Sequence, residues 1–422
     1  MEHTLEENKS NYIYVDWYSY LYLFMIVIYA GGANFYTQGL IGGSSIIGFL
    51  IPLVMTIILY FKHKVKFTNR TLLIVLLTLT FWFVAQYIHK DGEINITLTL
   101  FHYYQLILCY IIIQIFRERI FYIYEDILYK LTIISLILWF ISIVAPQFMA
   151  NAFRAVGNGT TISEGNIILY TMMLLKKVHG IIRNSGFAWE PGRFACFICL
   201  AIYCNFLING YSIKNNKRLY VFVFALISTQ STTGAFSFLA LLFIFFLNQN
   251  NYHKFIWIIP LILFTIFLIN LEFVGEKAQK QILSQTEMNN NKYKTEGRAL
   301  DRIESAVIEW DNLKHDPILG YGEWRHSKFT KTFKLGFFVD NGTMTLWAKY
   351  GLILGLLYYI CIFISSKRIG NYFGDKFSIT YLLLFILIGM GYDFNQIVLI
   401  MVFSFWGIFI PQETLQNKSL AE

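Results

Sequence analysis

The chain has 422 residues, of which 56% are hydrophobic and only 14% are charged. Soluble domains carry about 25% charged residues, so this composition predicts an integral membrane protein and excludes an ordinary soluble enzyme. The net charge of +8 is typical of cytoplasmic loops and of contacts with anionic lipids. Nucleic acid is not an expected partner, because the basic residues are scattered among apolar stretches and form no stripe.

The N-terminal residues 1–16 are polar and acidic. They lack the basic flank and small-residue cleavage site of a signal peptide, so the first apolar stretch is expected to remain as a transmembrane helix. A spanning helix needs about 20 mostly apolar residues. Twelve candidates appear, and tight pairs near residues 233 and 394 leave the count open by one or two: 17–36, 40–60, 71–88, 96–116, 128–148, 194–211, 219–233, 235–249, 255–272, 344–365, 377–393 and 395–411.

Four short loops rich in lysine and arginine set the expected orientation. They lie at residues 62–70, 117–119, 214–218 and 367–376. With twelve spans, all four fall on the side of both termini, which the positive-inside rule assigns to the cytoplasm. We therefore expect an all-α polytopic membrane protein with a single membrane domain over residues 1–422. Its two long extracytoplasmic loops would lie at residues 150–193 and 273–343.

The sequence predicts neither a cofactor nor a metal. It contains no P-loop and no glycine-rich dinucleotide turn, and its histidines lack metal-ligand spacing. The five cysteines all lie in apolar segments, and no second pair or histidine cluster completes a metal site. We expect structural roles for all five: Cys109, Cys196, Cys199, Cys204 and Cys361.

The first long loop ends in a bend that carries two arginines. Gly186 and the Pro191-Gly192 pair would interrupt a helix near the membrane surface. Arg183 and Arg193 flank this bend, with Glu190 between them. Guanidinium groups bind phosphate oxygens through two parallel hydrogen bonds, so this pair suits a diphosphate. Alternatively, Arg193 and Glu190 pair with each other at the start of the next helix.

The second long loop contains a predicted amphipathic helix at about residues 296–313. Its apolar positions recur at helical spacing: Leu300, Ile303, Val307 and Trp310. Arg298 and Arg302 are four residues apart on another face, where they would repel each other unless an anion lay between them. The alternative is a solvated helix in which the arginines have acidic partners: Asp301, Glu304 and Glu309.

Two further polar features lie next to predicted spans. Asp340 and Asn341 precede the tenth span, where they form either a helix cap or part of a sugar-binding site. A hydroxyl-rich break at residues 228–234 separates the seventh and eighth spans. Such a break is tolerated only where it faces protein or a watery cavity, so it either lines a cavity or allows close helix packing.

The order of these motifs resembles the bacterial O-antigen polymerase and ligase superfamily over roughly residues 180–365. The resemblance rests on five pieces: the Glu-Pro-Gly-Arg helix start at 190–193, the Ser-Thr-Gln-Ser-Thr-Thr-Gly break at 228–234, Pro-Ile-Leu-Gly-Tyr-Gly at 317–322, Asp-Asn-Gly-Thr at 340–343 and Tyr-Gly-Leu-Ile-Leu-Gly at 350–355. The superfamily's break often has an arginine after its serine, where this chain has Thr232.

This resemblance implies a metal-independent, membrane-embedded glycosyltransferase of the GT-C-like type. Such enzymes use undecaprenyl-diphosphate-linked sugars at the outer face of the cytoplasmic membrane. Their loop arginines correspond by motif to Arg183, Arg193, Arg298 and Arg302. The ligase branch usually has a histidine before its asparagine, where this chain has Asp340. The resemblance therefore favours a repeat-unit polymerase for O-antigen or capsule over a ligase.

The expected reaction is attack by a sugar hydroxyl, with arginines stabilising the diphosphate that leaves. Its catalytic residues would be Arg183, Glu190, Arg298 and Asp340, with Glu190 or Asp340 as the base. The substrate-binding residues would be Arg193, Arg302, Tyr321 and Asn341. Expected partners are the lipid-linked oligosaccharide, a chain-length regulator protein and membrane lipids. A flippase is the rival from another class, and few charges within the spans argue against it.

Overall fold

A computed structural model describes residues 15–32, 46–65, 70–89, 96–156, 165–172, 177–178, 180–249, 302–322 and 341–410. These ranges contain thirteen helices: α1 (Trp17–Gly31), α2 (Ile46–His63), α3 (Arg70–His89), α4 (Ile96–Phe116), α5 (Arg119–Val144), α6 (Pro146–Val156), α7 (Pro191–Ile208), α8 (Lys217–Thr229), α9 (Thr232–Asn248), α10 (Arg302–His315), α11 (Gly342–Phe373), α12 (Thr380–Gly389) and α13 (Val398–Phe409). Two short antiparallel hairpins pair β1 (Gly165–Ile167) with β2 (Tyr170–Met172) and β3 (Lys177–Val178) with β4 (Ile181–Ile182).

Among the described helices, five are long and apolar enough to cross a membrane: α3, α4, α5, α7 and α11. Shorter apolar helices accompany them: α1, residues 50–63 of α2, α9, α12 and α13. Such helices indicate a multi-pass membrane protein of the all-α class. The predicted span at 255–272 lies outside the described residues, so the count of twelve spans stays a prediction.

Helix α5 begins nine residues before the predicted span at 128–148. The predicted span left out the charged residues near the start of α5 because a span was expected to be apolar. The helix nevertheless includes them, because they form ion pairs and hydrogen bonds with neighbouring helices. Arg218 of α8 forms ion pairs with both Glu125 and Asp126. The Tyr20 hydroxyl of α1 also donates to Asp126, over 2.8 Å. Charged groups therefore lie inside a membrane-length helix, contrary to the expectation from sequence.

Helix α7 is the most buried of the five membrane-length helices, with 94% of its apolar window covered by protein. It packs against α5, α8 and α9. Small residues allow this close approach. A Cβ added at Gly234 of α9, for example, would lie 2.7 Å from the Ala195 Cβ. The arginine at the start of α7 is consequently held inside the helix bundle.

Helix α11 is broken at Gly351, where φ is +71°. Residues 317–322 pack against this break, and a Cβ at Gly351 would lie 2.1 Å from the carbonyl oxygen of Ile318. Three backbone hydrogen bonds join the two segments: Tyr321 N to Ala348 O at 2.9 Å, Gly322 N to Lys349 O at 2.9 Å, and Leu352 N to Pro317 O at 2.8 Å. The motif at 317–322, which follows α10, therefore packs as one structural unit with the motif at 350–355 inside α11.

The described part of the predicted amphipathic helix is α10, and its buried face is acidic. Glu304 and Glu309 are 1% and 0% exposed, whereas Trp310 of the predicted apolar face is 51% exposed. The exposure of Trp310 contradicts the predicted apolar face, whereas the predicted pairing of the arginines with acidic side chains stays a prediction because Arg298 and Asp301 lie outside the described residues. Apolar periodicity could not register that α10 packs on α11, or that its N-terminus is bound to neighbouring polar groups.

Candidate functional site

Helix ends meet at one end of the bundle, and five of the predicted site residues lie there: Arg183, Glu190, Arg193, Arg302 and Asn341. Arg298 and Asp340 lie outside the described residues, so their roles stay predictions. We refer to Arg183, Arg193 and Arg302 as the arginine cluster. Each of the three is held by a different part of the fold.

The bend before α7 is a buried part of the bundle rather than an open surface loop. Asn184 and Ser185 are fully buried. The Asn184 side chain accepts from Gly186 N at 3.0 Å and donates to Ser228 Oγ at 3.0 Å. Gly186 has a φ of +50°, and an added Cβ would lie 2.6 Å from the Phe194 ring. Glycine is required here, and the bend is fixed against the polar break at 228–234.

Arg183 follows β4 and is held at the C-terminal end of α8. Its Nε donates to the carbonyl oxygen of Thr229 at 2.9 Å. Burial lowers the pKa of the Arg183 guanidinium, Tyr392 and Glu190 oppose that shift, and Arg302 adds to it. These interactions show that Arg183 lies within electrostatic range of a second arginine, a carboxylate and a phenol.

Arg302 reaches the same place from the first turn of α10. Its Nη1 donates to Thr233 Oγ1 at the start of α9. Its Cζ lies 5.4 Å from the centre of the Tyr392 ring, within the range of cation–π attraction. The guanidinium is therefore placed between the polar break at 228–234 and the ring of Tyr392.

Asn341 acts as the N-cap of α11. Its Oδ1 accepts from Met344 N at 3.0 Å, which confirms the helix-cap interpretation. Its Nδ2 donates to the backbone carbonyl of Arg302 at 3.3 Å. The cap thus fixes the position of Arg302 as well as the start of α11.

Arg193 is buried near the start of α7. Its Nε and Nη2 both donate to the carbonyl oxygen of Ala30, at 3.2 and 3.0 Å. Its Cζ lies 5.5 Å from the centre of the Phe394 ring. A cation is favourable at this carbonyl because it belongs to the last turn of α1, the negative end of the helix dipole. Arg193 therefore holds α1, α7 and the segment before α13 together.

Tyr392 is a site residue that the sequence analysis missed. It lies in a second polar break, between α12 and α13, and its hydroxyl faces Gly192 so closely that an added Cβ would be 2.0 Å away. In the same break, Asn395 Nδ2 donates to the carbonyl of Gly342 at 2.9 Å. The available signal was the short polar interruption between two tight apolar stretches, the same signal that the break at 228–234 gave.

Tyr321 lies in the interior of the protein, and its role in substrate binding stays a prediction. It is 4% exposed and packs with Leu313 and Ala348. Its backbone amide belongs to the hydrogen-bonded joint between residues 317–322 and the break in α11. The structure thus places Tyr321 in the support of α10, and Arg302 lies at the other end of that helix.

The charge and the helix ends at this site favour an anion. Within the part of the chain that the structure describes, the carboxylates that act electrostatically on Arg183 and Arg193 are Glu190 and Asp393, and Arg302 adds a third cation. The N-termini of α7, α9 and α11 also converge here, and such ends carry partial positive charge. Within the described ranges, no group of three or more His, Cys, Asp or Glu side chains is placed to hold a metal ion.

Comparisons with protein-family models, with curated proteins and with solved structures gave no match.

Proposed function

We propose that this chain is a metal-independent glycosyltransferase that polymerises lipid-linked oligosaccharide. It would join undecaprenyl-diphosphate-linked repeat units into a surface polysaccharide, O-antigen or capsule, at the outer face of the cytoplasmic membrane. The observation that carries the proposal is that Arg183 and Arg302 are both held at the polar break at 228–234, with the Arg302 guanidinium over the Tyr392 ring, among converging helix N-termini. The family resemblance supplies the sugar chemistry, and this geometry supports the handling of the diphosphate.

The proposed reaction transfers the growing glycan from undecaprenyl diphosphate to one lipid-linked repeat unit. The non-reducing-end hydroxyl of that unit attacks the anomeric carbon of the donor, and the bond from this carbon to the diphosphate oxygen breaks. The hydroxyl proton passes to Glu190 or Asp340. Undecaprenyl diphosphate leaves with the bonding electrons, and the arginines stabilise the negative charge that develops on it.

The way in which each arginine is held supports a division of roles. Among the contacts of the described residues, Arg183 is held through Nε and Arg302 through Nη1. Each retains further N–H groups that can bind phosphate oxygens, because a guanidinium has five donors. Arg193 instead directs two nitrogens to one carbonyl. Arg183 and Arg302 are therefore the proposed diphosphate ligands, and Arg193 positions the helices around them.

Transport of lipid-linked oligosaccharide is the second candidate, and one observation favours it. Glu125 and Asp126 lie inside the membrane-length helix α5, and ionisable groups within spans are common in transporters. However, direct ion pairs with Arg218 and Lys130 neutralise both carboxylates. We therefore keep polymerisation as the leading proposal.

The deciding experiment deletes the gene and resolves the cell-surface glycan by size, beside the lipid-linked pool. A polymerase leaves acceptors that carry one repeat unit and no ladder. Bare acceptors with long glycan still on undecaprenyl diphosphate would replace the proposal with a ligase. Repeat units that accumulate on the cytoplasmic side would replace it with a transporter.

A further inference from the structure

An apolar cavity of about 240 Å³ lies between α3, α4, α11 and α13. Most of its wall surface is apolar, with contributions from Leu106, Leu354, Leu357 and Phe405. All four helices are apolar, and α3, α4 and α11 are long enough to cross a membrane. The cavity is therefore a space for an apolar group between membrane-length helices.

One end of this cavity is polar. His102 Nε2 and the Tyr350 hydroxyl are 2.7 Å apart, and Gln396 Nε2 donates to the same hydroxyl at 3.1 Å. Asn395 also lines this end. Asn395 follows Tyr392 by three residues, which limits the distance between their Cα atoms to about 11 Å. The polar break between α12 and α13 therefore contributes to both the arginine cluster and the cavity.

The cavity extends from this polar end into the membrane-spanning part of the bundle. Beyond the break at Gly351, its lining on α11 runs from Leu354 to Cys361, which corresponds to about 10 Å along a helix axis. Helix α11 begins at the Asn341 cap beside Arg302, so increasing residue number leads away from the arginine cluster. Helix α13 has the same direction, because it starts after the break that contains Tyr392.

The wall of the cavity opens sideways. Ile74 of α3 and Leu357 of α11 are lining residues, yet they are 61% and 40% exposed. In a membrane-length helix, such exposed apolar side chains face lipid. A long chain that enters the cavity can consequently continue into the bilayer.

We propose that this cavity binds the isoprenoid units nearest the diphosphate of a polyprenyl-diphosphate-linked substrate. The inference rests on the proposed function and assigns the lipid portion of that substrate to named residues. Such a ligand joins a dianionic head to an apolar chain, and the protein places a cation cluster next to an apolar cavity that opens to the bilayer. Burial of the first isoprenoid units holds the head in register with Arg183 and Arg302.

The test compares two leucine-to-tryptophan variants of the full chain in phospholipid nanodiscs. Leu354→Trp fills the cavity, whereas Leu356→Trp places the same side chain on a position that is 54% exposed. The probes are undecaprenyl diphosphate and inorganic diphosphate. Leu354→Trp is expected to weaken undecaprenyl diphosphate binding by about tenfold or more and to leave inorganic diphosphate binding unchanged. Leu356→Trp should bind both probes as the wild type does.

Cys361→Phe provides a second test deeper in the cavity, in case Leu354→Trp fails to fold. It should weaken undecaprenyl diphosphate alone, and retained binding of inorganic diphosphate reports a folded site. Equal affinities of the Leu354 and Leu356 variants for undecaprenyl diphosphate would overturn the inference. So would a nanodisc phospholipid that occupies the cavity and is not displaced by undecaprenyl diphosphate.

A different variant, Arg302→Ala, tests the proposed diphosphate site separately from the cavity. Arg302→Ala should weaken both probes, because it removes a ligand of the head. If Arg302→Ala leaves the affinity for inorganic diphosphate unchanged, the diphosphate site itself is wrong. If that affinity depends on Arg302 but filling the cavity has no effect, only the cavity assignment is wrong.

Discussion

Two charged regions of this protein use the same side-chain types in opposite ways. In the α5–α8 ion-pair cluster, formed by Glu125, Asp126, Lys130 and Arg218, two cations face two carboxylates. Arg218 Nη2 lies 2.9 Å from Asp126 Oδ1, and Lys130 Nζ lies 2.7 Å from Asp126 Oδ2. Asn205 Nδ2 adds a hydrogen bond of 2.8 Å to Glu125. Each buried carboxylate is therefore neutralised by a direct partner.

The arginine cluster is arranged differently. Among the contacts of the described residues, its three guanidinium groups donate to neutral oxygens, namely the carbonyls of Thr229 and Ala30 and the hydroxyl of Thr233. A buried ion needs a partner of opposite charge, or its desolvation is not compensated. A balanced cluster meets this need within the fold, whereas a cluster with excess positive charge meets it better when an anion binds. We infer that the first region serves stability and the second serves a ligand.

The largest effect that follows from this comparison is expected at Arg302. Arg302→Ala should lower polymer formation by about 100-fold or more, because a charge-stabilising donor is lost. Arg302→Lys should restore little of it, since lysine lacks the bidentate fork. Polymer length on gels and the amount of folded protein are the measurements. Lys367→Ala is the control, because it removes an exposed cation of α11 outside the arginine cluster. Full-length polymer from Arg302→Ala would contradict the assignment.

Arg218→Ala should show the opposite pattern. Removing this cation leaves Glu125 and Asp126 buried without their shared partner, at an expected cost of about 3 kcal/mol in the free energy of unfolding. Thermal unfolding in detergent measures this loss, and activity per folded molecule should stay near the wild-type value. The exposed neighbour Lys217 supplies the control variant, Lys217→Ala. Equal unfolding temperatures of the two variants would remove the distinction between the clusters.

A smaller effect is expected where Tyr392 meets α7. Gly192→Ala would place a Cβ 2.0 Å from the Tyr392 hydroxyl, so it should displace Tyr392 and cost about 1–3 kcal/mol of stability. Adding Tyr392→Phe removes the clashing oxygen and leaves a ring carbon 3.0 Å away. The double variant should recover part of the lost stability and of the sugar-transfer rate. No recovery in the double variant would mean that the hydroxyl is not the group that restricts residue 192.

The sequence predicted those parts of the site that depend on local chemistry. The bend at Gly186, the start of α7 at Pro191 and the Asn341 cap all follow from residues within a few positions of one another. It could not predict Tyr392, because that residue meets Gly192 and Arg302 only after α12 and α13 have packed. The acidic buried face of α10 was missed for a related reason, since apolar periodicity carries no information about buried polar contacts.

The α5–α8 cluster was missed for the same reason, because hydropathy patterns carry no information about buried ion pairs. Its acidic residues shortened the predicted span, although in the fold they lie within α5. The charge balance that separates this cluster from the arginine cluster depends on Arg218, which is about 90 positions away in the sequence. Contacts between residues this far apart cannot be read from the spacing of residues in one sequence.

The smallest effect is expected at an exposed ion pair, which serves as a reference for the two buried clusters. Asp16 caps α1, and its Oδ1 lies 2.6 Å from Lys62 Nζ, with both side chains partly exposed. Partial burial raises the pKa of Asp16, but hydrogen bonds from Lys62 and Ser19 lower it further, to about 2. Its unfolded value is near 3.8. The contribution of Asp16 to stability is thus fully present above about pH 4, and it is lost as the pH falls towards 2.

Exposed ion pairs contribute about 0–1 kcal/mol, so Asp16→Asn should lower the unfolding temperature slightly at pH 7. The difference between wild type and variant should shrink as the pH falls to 2, where the wild-type carboxyl is about half protonated, and it should vanish only below that pH. A loss at pH 7 as large as that of Arg218→Ala would show that burial is not what separates strong clusters from weak ones. The comparison between the two buried regions would then have to rest on charge balance alone.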